Sequence, residues 1–92
     1  MPFADEMIPP LRALARKLID YEMYLYLSSV AELLAAFKSG NWPKLSREDQ
    51  QHYLENMKGT FHPKGMGDGL CGEPEYDLIC ELIESELWAL RR

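Results

Sequence analysis

Cysteine is scarce. Only Cys71 and Cys80 occur in the chain, which excludes a disulfide scaffold, and a reducing compartment would keep both as thiols. Long apolar runs are missing too. None approaches the ~20 residues of a membrane-spanning helix, and the opening MPFADEMIPP lacks the charged and apolar regions of a signal peptide, so a cytoplasmic chain with no membrane partner is expected. Basic charge is the third shortage. Ten Lys and Arg face fifteen Asp and Glu, a net charge of -5, which argues against direct nucleic-acid binding because neutralising phosphate takes a basic surface. A basic protein partner suits the balance better. No segment alternates apolar and polar residues with period two, so a sheet is not expected. With 92 residues the chain holds one domain, 1–92, built on one core.

What is present is helical periodicity. Leu11, Leu14, Leu18, Tyr21 and Leu25 follow steps of three and four and so share one helical face, with Pro10 suited to the first turn. The phase then slips, and Leu27, Val30, Leu34 and Phe37 begin a new stripe, which predicts a break between about residues 20 and 28. The second segment holds one charge, Glu32, between Met23 and Phe37. It is expected to be the most buried helix, with Glu32 on its solvent-facing stripe or paired with Arg12, Arg16 or Lys17. Gly40 offers a left-handed cap and Pro43 a stop. Ser46 is placed to accept from the amide of Asp49 and start a third helix carrying Tyr53, Leu54 and Met57 inward. Residues 59–72 hold five of the six glycines and read as one long loop packed by Phe61, Met66 and Leu70. Pro74 then opens a closing helix with Tyr76, Ile79, Cys80, Ile83, Leu87 and Leu90 inward. The expectation is an all-α bundle of four helices near 10–22, 23–38, 46–58 and 74–91.

Chemistry-bearing patterns are weak. Gly67, Gly69 and Gly72 match G-x-G-x-x-G, but no strand precedes them and Asp68, Glu73, Glu75 and Asp77 would repel a phosphate. His52, His62, Cys71 and Cys80 form no short chelating pair, so no metal is expected. Cys71 lacks a nearby base to lower its pKa. No nucleophile, base and orienting group can be named together, so the chain is read as no enzyme and no cofactor is assigned.

The run Gly65-Met66-Gly67-Asp68, followed by a closing helix over 79–90, resembles a family of small uncharacterised bacterial helical domains. Their loop reads roughly Gly-Gly-Met-Gly-Ser-Phe-Asn-Asp; here Gly69-Leu70-Cys71 stand where the aromatic part would be. The resemblance implies a helical fold and a bacterial setting, with no catalytic residue to carry over. Small size and acidity are also similar to those of immunity proteins that block toxins.

The functional expectation is a small acidic protein-binding module of the immunity or inhibitor type, whose partner is a basic effector such as a nuclease toxin. From Met66 onward there are seven acids and two bases. The partner-binding residues expected are Asp68, Glu73, Glu75 and Asp77, grouped by the loop, together with aromatic anchors Tyr24 and Trp42. The alternative is a self-associating structural or adaptor domain, a symmetric homodimer through the apolar second helix. Tyr24 and Tyr26 lie about 200 degrees apart on that helix, so one of them must face outward.

Overall fold

The computed structural model describes residues 2–61, 67–70 and 72–91. Its elements are α1 (Phe3–Asp20), α2 (Tyr24–Lys38), a 3-10 turn (Trp42–Lys44), α3 (Arg47–Thr60), the single turn α4 (Gly67–Leu70) and α5 (Pro74–Arg91). The all-α class and the four main helices agree with the sequence pattern, and the described residues contain no strand.

The first correction is the start of α1. Periodicity and the proline pair suggested a helix from about residue 10, whereas it begins at Phe3 and runs through Pro9 and Pro10. An interior proline removes an i→i−4 hydrogen bond and crowds the preceding turn, at about 3 kcal/mol or more. Here Phe3, Ala4 and Met7 extend the stripe of Leu11, Leu14 and Leu18 upstream and are buried with it. Burial of a large apolar side chain is worth about 1.5–3 kcal/mol, so the added face offsets the proline defect.

The second correction concerns α2. It buries only Val30, Leu33 and Phe37 fully, and α1 is the central helix because it packs along both α2 and α5, while α3 packs along α5. A nearly uncharged helix on the outside leaves apolar surface in solvent, and Leu25 is 80% exposed. Glu32 is exposed, as its lone position suggested.

The breaks have local causes. Between α1 and α2 the chain makes a Schellman closure: Met23 donates to the Leu18 carbonyl at 2.8 Å and Glu22 to that of Ile19 at 3.1 Å. The closure places Glu22 at φ 58, a left-handed conformation usually given to glycine. Gly40 takes φ 79 just after α2, as expected of a C-cap glycine. The Ser46 hydroxyl accepts from the Asp49 amide at 3.1 Å and caps α3. Arg47, in the first turn of α3, donates to the carbonyls of Leu90 at 2.8 Å and Ala89 at 3.0 Å, satisfying the otherwise open end of α5.

The expected long loop is shorter than its glycines suggested. Gly59 lies inside α3, and Gly67–Leu70 form a turn of helix within the segment. Phe61 and Leu70 are buried as predicted, while Met66 lies outside the described residues. The buried Tyr76 hydroxyl donates to the Phe61 carbonyl and ties the end of α3 to α5.

Trp42 also departs from expectation. It was assigned to the partner surface, but it is 7% exposed and closes an aromatic cluster with Phe3, Phe37 and Tyr53, with ring centroids 5.4, 5.4 and 5.8 Å from it. Gln50 donates to its backbone carbonyl at 2.9 Å. Four elements meet in this cluster, and the turn that Pro43 imposes directs the indole inward.

Candidate functional site

Lys17 joins the last turn of α1 to the start of α5. Its ammonium pairs with Glu73 and, at 2.9 Å, with Glu75. The Tyr21 hydroxyl, one turn along, donates to the other oxygen of Glu73 at 3.0 Å. Gly72 at φ 94 directs the chain into this junction, and the Asp77 amide then donates to the Glu73 carbonyl to begin α5. Hydrogen bonds from Lys17, and from Tyr21 to Glu73, hold both carboxyls below the usual range. Lys17 is raised in return, first by Glu73 and then by Glu75, and Tyr21 is raised by its bond to Glu73. One oxygen of Glu75 is buried without a hydrogen-bond partner among the described residues.

Two of the four expected acidic contact residues are therefore engaged inside the molecule. Glu73 and Glu75 share Lys17, so half of their combined charge is cancelled locally. The side chain of Asp68 lies outside the described residues. Asp77 is exposed, but it sits two residues beyond Glu75 and so turns about 200 degrees away from it around α5. The loop does not gather the four into one face. Of the predicted aromatic anchors, Tyr24 is 59% exposed, Tyr26 is half-buried against the core, and Trp42 is internal.

The junction makes a pH prediction. A carboxyl whose folded pKa is depressed contributes stability that is present above its unfolded value and lost as pH falls through the folded one. Lys17→Met should therefore lower the urea midpoint near neutrality. The gap to the parent should narrow as pH falls from neutrality through and below the usual carboxyl range. Parallel curves over that range would show that Lys17 contributes packing alone.

Next to this junction lies the most exposed apolar corner of the fold. Ile19, Tyr21, Tyr24 and Leu25, all exposed, fall within seven residues around the α1–α2 turn. The exposed acids Asp20 and Glu22 interleave with them, and Glu73 is held to the same corner by Tyr21. An apolar centre with a polar rim is the usual anatomy of a protein contact. Sequence reading found Tyr24 here but assigned Tyr21 and Leu25 to the buried stripe of α1. The signal was hidden because the helix ends at a left-handed Glu22 and not at a glycine.

A second exposed feature runs along α5. Asp77, Glu81, Glu84 and Trp88 follow steps of four, three and four and share its outward face, with Trp88 67% exposed. Lys58 pairs with Glu84 at 2.9 Å, and Arg91 with Glu55 at 3.1 Å nearby in the α3–α5 pair.

No group of three or more His, Cys, Asp or Glu that could hold a metal ion occurs among the described residues. Among those residues, too, no helix is long and apolar enough to cross a membrane. His52 is exposed and Cys80 half-buried; His62 and Cys71 lie outside the described residues. No family model, curated protein or solved structure matches the chain.

Proposed function

We infer that the chain is a protein-binding module without catalysis, an immunity or inhibitor type of protein that docks on a basic effector through the α1–α2 corner. The observation that carries this reading is the exposure of Ile19, Tyr21, Tyr24 and Leu25 in one short stretch, interleaved with the acids Asp20 and Glu22. Apolar side chains so exposed are ordinarily covered by a partner. Tyrosine anchors supply contact area at low entropic cost. The acids around them, and the net charge of -5, favour a basic partner and speed its approach.

The backbone of the corner supports the same reading. A non-glycine residue in the left-handed region costs on the order of 1 kcal/mol. Glu22 occupies that position in the exposed turn, between Tyr21 and the Tyr24–Leu25 pair in sequence. Glycine would close the helix with less strain, and an acid at this exposed position suits a basic partner.

The test is paired affinity capture from the native host. The unaltered chain should retain a basic protein that a Tyr24→Ala, Leu25→Asp bait loses by at least about tenfold, since central aromatic anchors contribute ~2 kcal/mol or more each. Both substitutions are at exposed positions, and circular dichroism should be unchanged. Equal recovery of the same proteins by both baits would remove this surface from consideration.

A further inference from the structure

The α1–α5 groove carries a second surface, which adjoins the α1–α2 corner at Asp20. Pro9 lies at its middle and divides it into two open hollows. One, of about 560 Å³, is lined by Arg12, Ala13, Arg16, Lys17 and Asp20 of α1 and Glu75 of α5. The other, of about 410 Å³, is lined by Asp5, Glu6 and Pro10 of α1 and Leu78 and Leu82 of α5. The floor is apolar because proline and alanine rise little from the helix, and Leu78 remains 43% exposed. On α5 the groove residues Glu75, Leu78 and Leu82 lie roughly 120 degrees from the Asp77, Glu81, Glu84 and Trp88 stripe.

The α1 charges nearest Pro9 reverse sign across it, while Glu75 and, at the far end, Asp20 also line the basic hollow. Arg12 lies three residues after it and Glu6 three before, with Arg16 and Asp5 beyond on the same sides. Neither arginine makes an ion pair among the described residues. Prolines at 9 and 10 also deprive the carbonyls of Asp5 and Glu6 of their usual i+4 donors, which leaves acceptor capacity at the acidic end. A helix with acids on one side of a midpoint and bases on the other is complementary to its own antiparallel copy.

We propose that this groove is the interface of a symmetric homodimer, in which α1 of a second copy crosses antiparallel at Pro9. The two-fold axis sets Glu6 against Arg12 of the second copy and Arg12 against its Glu6, so one contact is made twice. Pro9, Ala13 and Leu78 supply the apolar centre, and the charge pairs form its rim. Arginine's planar fork suits both a carboxylate and an open backbone carbonyl. The proposed contact centres on Glu6, Pro9 and Arg12 and meets the docking surface inferred above only at Asp20, which lines the far end of the basic hollow.

Sedimentation equilibrium from micromolar to millimolar concentration tests it. The chain should move from 10.7 kDa towards twice that mass. Arg12→Glu and Glu6→Arg should each weaken association by at least tenfold, and the two together should restore it, because the reversed charges again face each other. A single 10.7 kDa species throughout would overturn the proposal. So would a dimer insensitive to both reversals, or a double variant no tighter than either single one. Association abolished by Leu25→Asp but unaffected by Arg12→Glu would assign the dimer to the α1–α2 corner and equally overturn it. Circular dichroism on each variant separates lost pairing from lost folding, and the paired reversal guards against reading one as the other.

Discussion

Trp42→Ala should lower stability by about 3–5 kcal/mol, measured as a shift in the urea midpoint at constant slope. The indole is enclosed by Phe3, Phe37 and Tyr53, which come from α1, α2 and α3. Its removal leaves a cavity that no single helix can close, because the neighbours are fixed to three different elements. Edge-to-face ring pairs add about 0.5–1.5 kcal/mol beyond burial, and the two with Phe37 and Tyr53 are lost together. For a domain whose total stability is ~5–15 kcal/mol, the variant stands close to unfolding at ambient temperature. Trp42→Phe should recover more than half of the loss. A change below about 1 kcal/mol on Trp42→Ala would place the side chain on the surface, as its expected role as a partner-binding anchor required.

Met7→Ala should cost about 2–5 kcal/mol, a core-sized effect from a position eight residues ahead of Ala15 and on the far side of two prolines. Met7 is fully buried between Phe3 and Leu11 on the inner stripe of α1. If residues 3–9 were a frayed leader, the same change would fall within about ±0.5 kcal/mol. Hydrogen exchange provides an independent readout, since amides from Met7 to Leu14 other than the prolines should exchange with the protection of the core and not of a terminus. A complementary substitution sharpens the point. Met7→Leu, similar in volume, should cost less than about 1.5 kcal/mol, so the loss with alanine follows from packing and not from side-chain chemistry.

Local rules were sufficient wherever one residue type has one conformational use. Gly40 as a left-handed cap, Ser46 as an N-cap and Pro74 as the first helical residue follow from side-chain and backbone chemistry within a turn. Periodicity alone likewise located Leu11, Leu14 and Leu18 in one helix and Ile79, Ile83 and Leu87 in another, since a stripe of that spacing must be buried against something. The same rules misjudged the ends of α1. Two prolines are a strong local stop, but Phe3, Ala4 and Met7 are held by tertiary burial that no window of sequence reports. Glu22 is a poor local closure, yet packing of Met23 beside the core selects it.

By itself, the amino-acid order determined an all-helical chain, acidic, with four main amphipathic segments and their caps, because helix periodicity and capping are interactions among residues within a few positions of one another. Only the tertiary structure decided which of those segments is central. Apolar composition marked α2 for the middle, but burial depends on how many neighbours an element has, and α1 lies between α2 and α5. That choice turned Tyr21 and Leu25 outward and Trp42 inward. It also paired Lys17 with Glu73 and Glu75 across 56 and 58 positions, removing two acids from the expected contact face. Coulomb attraction acts through space, so a charge count along the chain cannot say which carboxylates remain free.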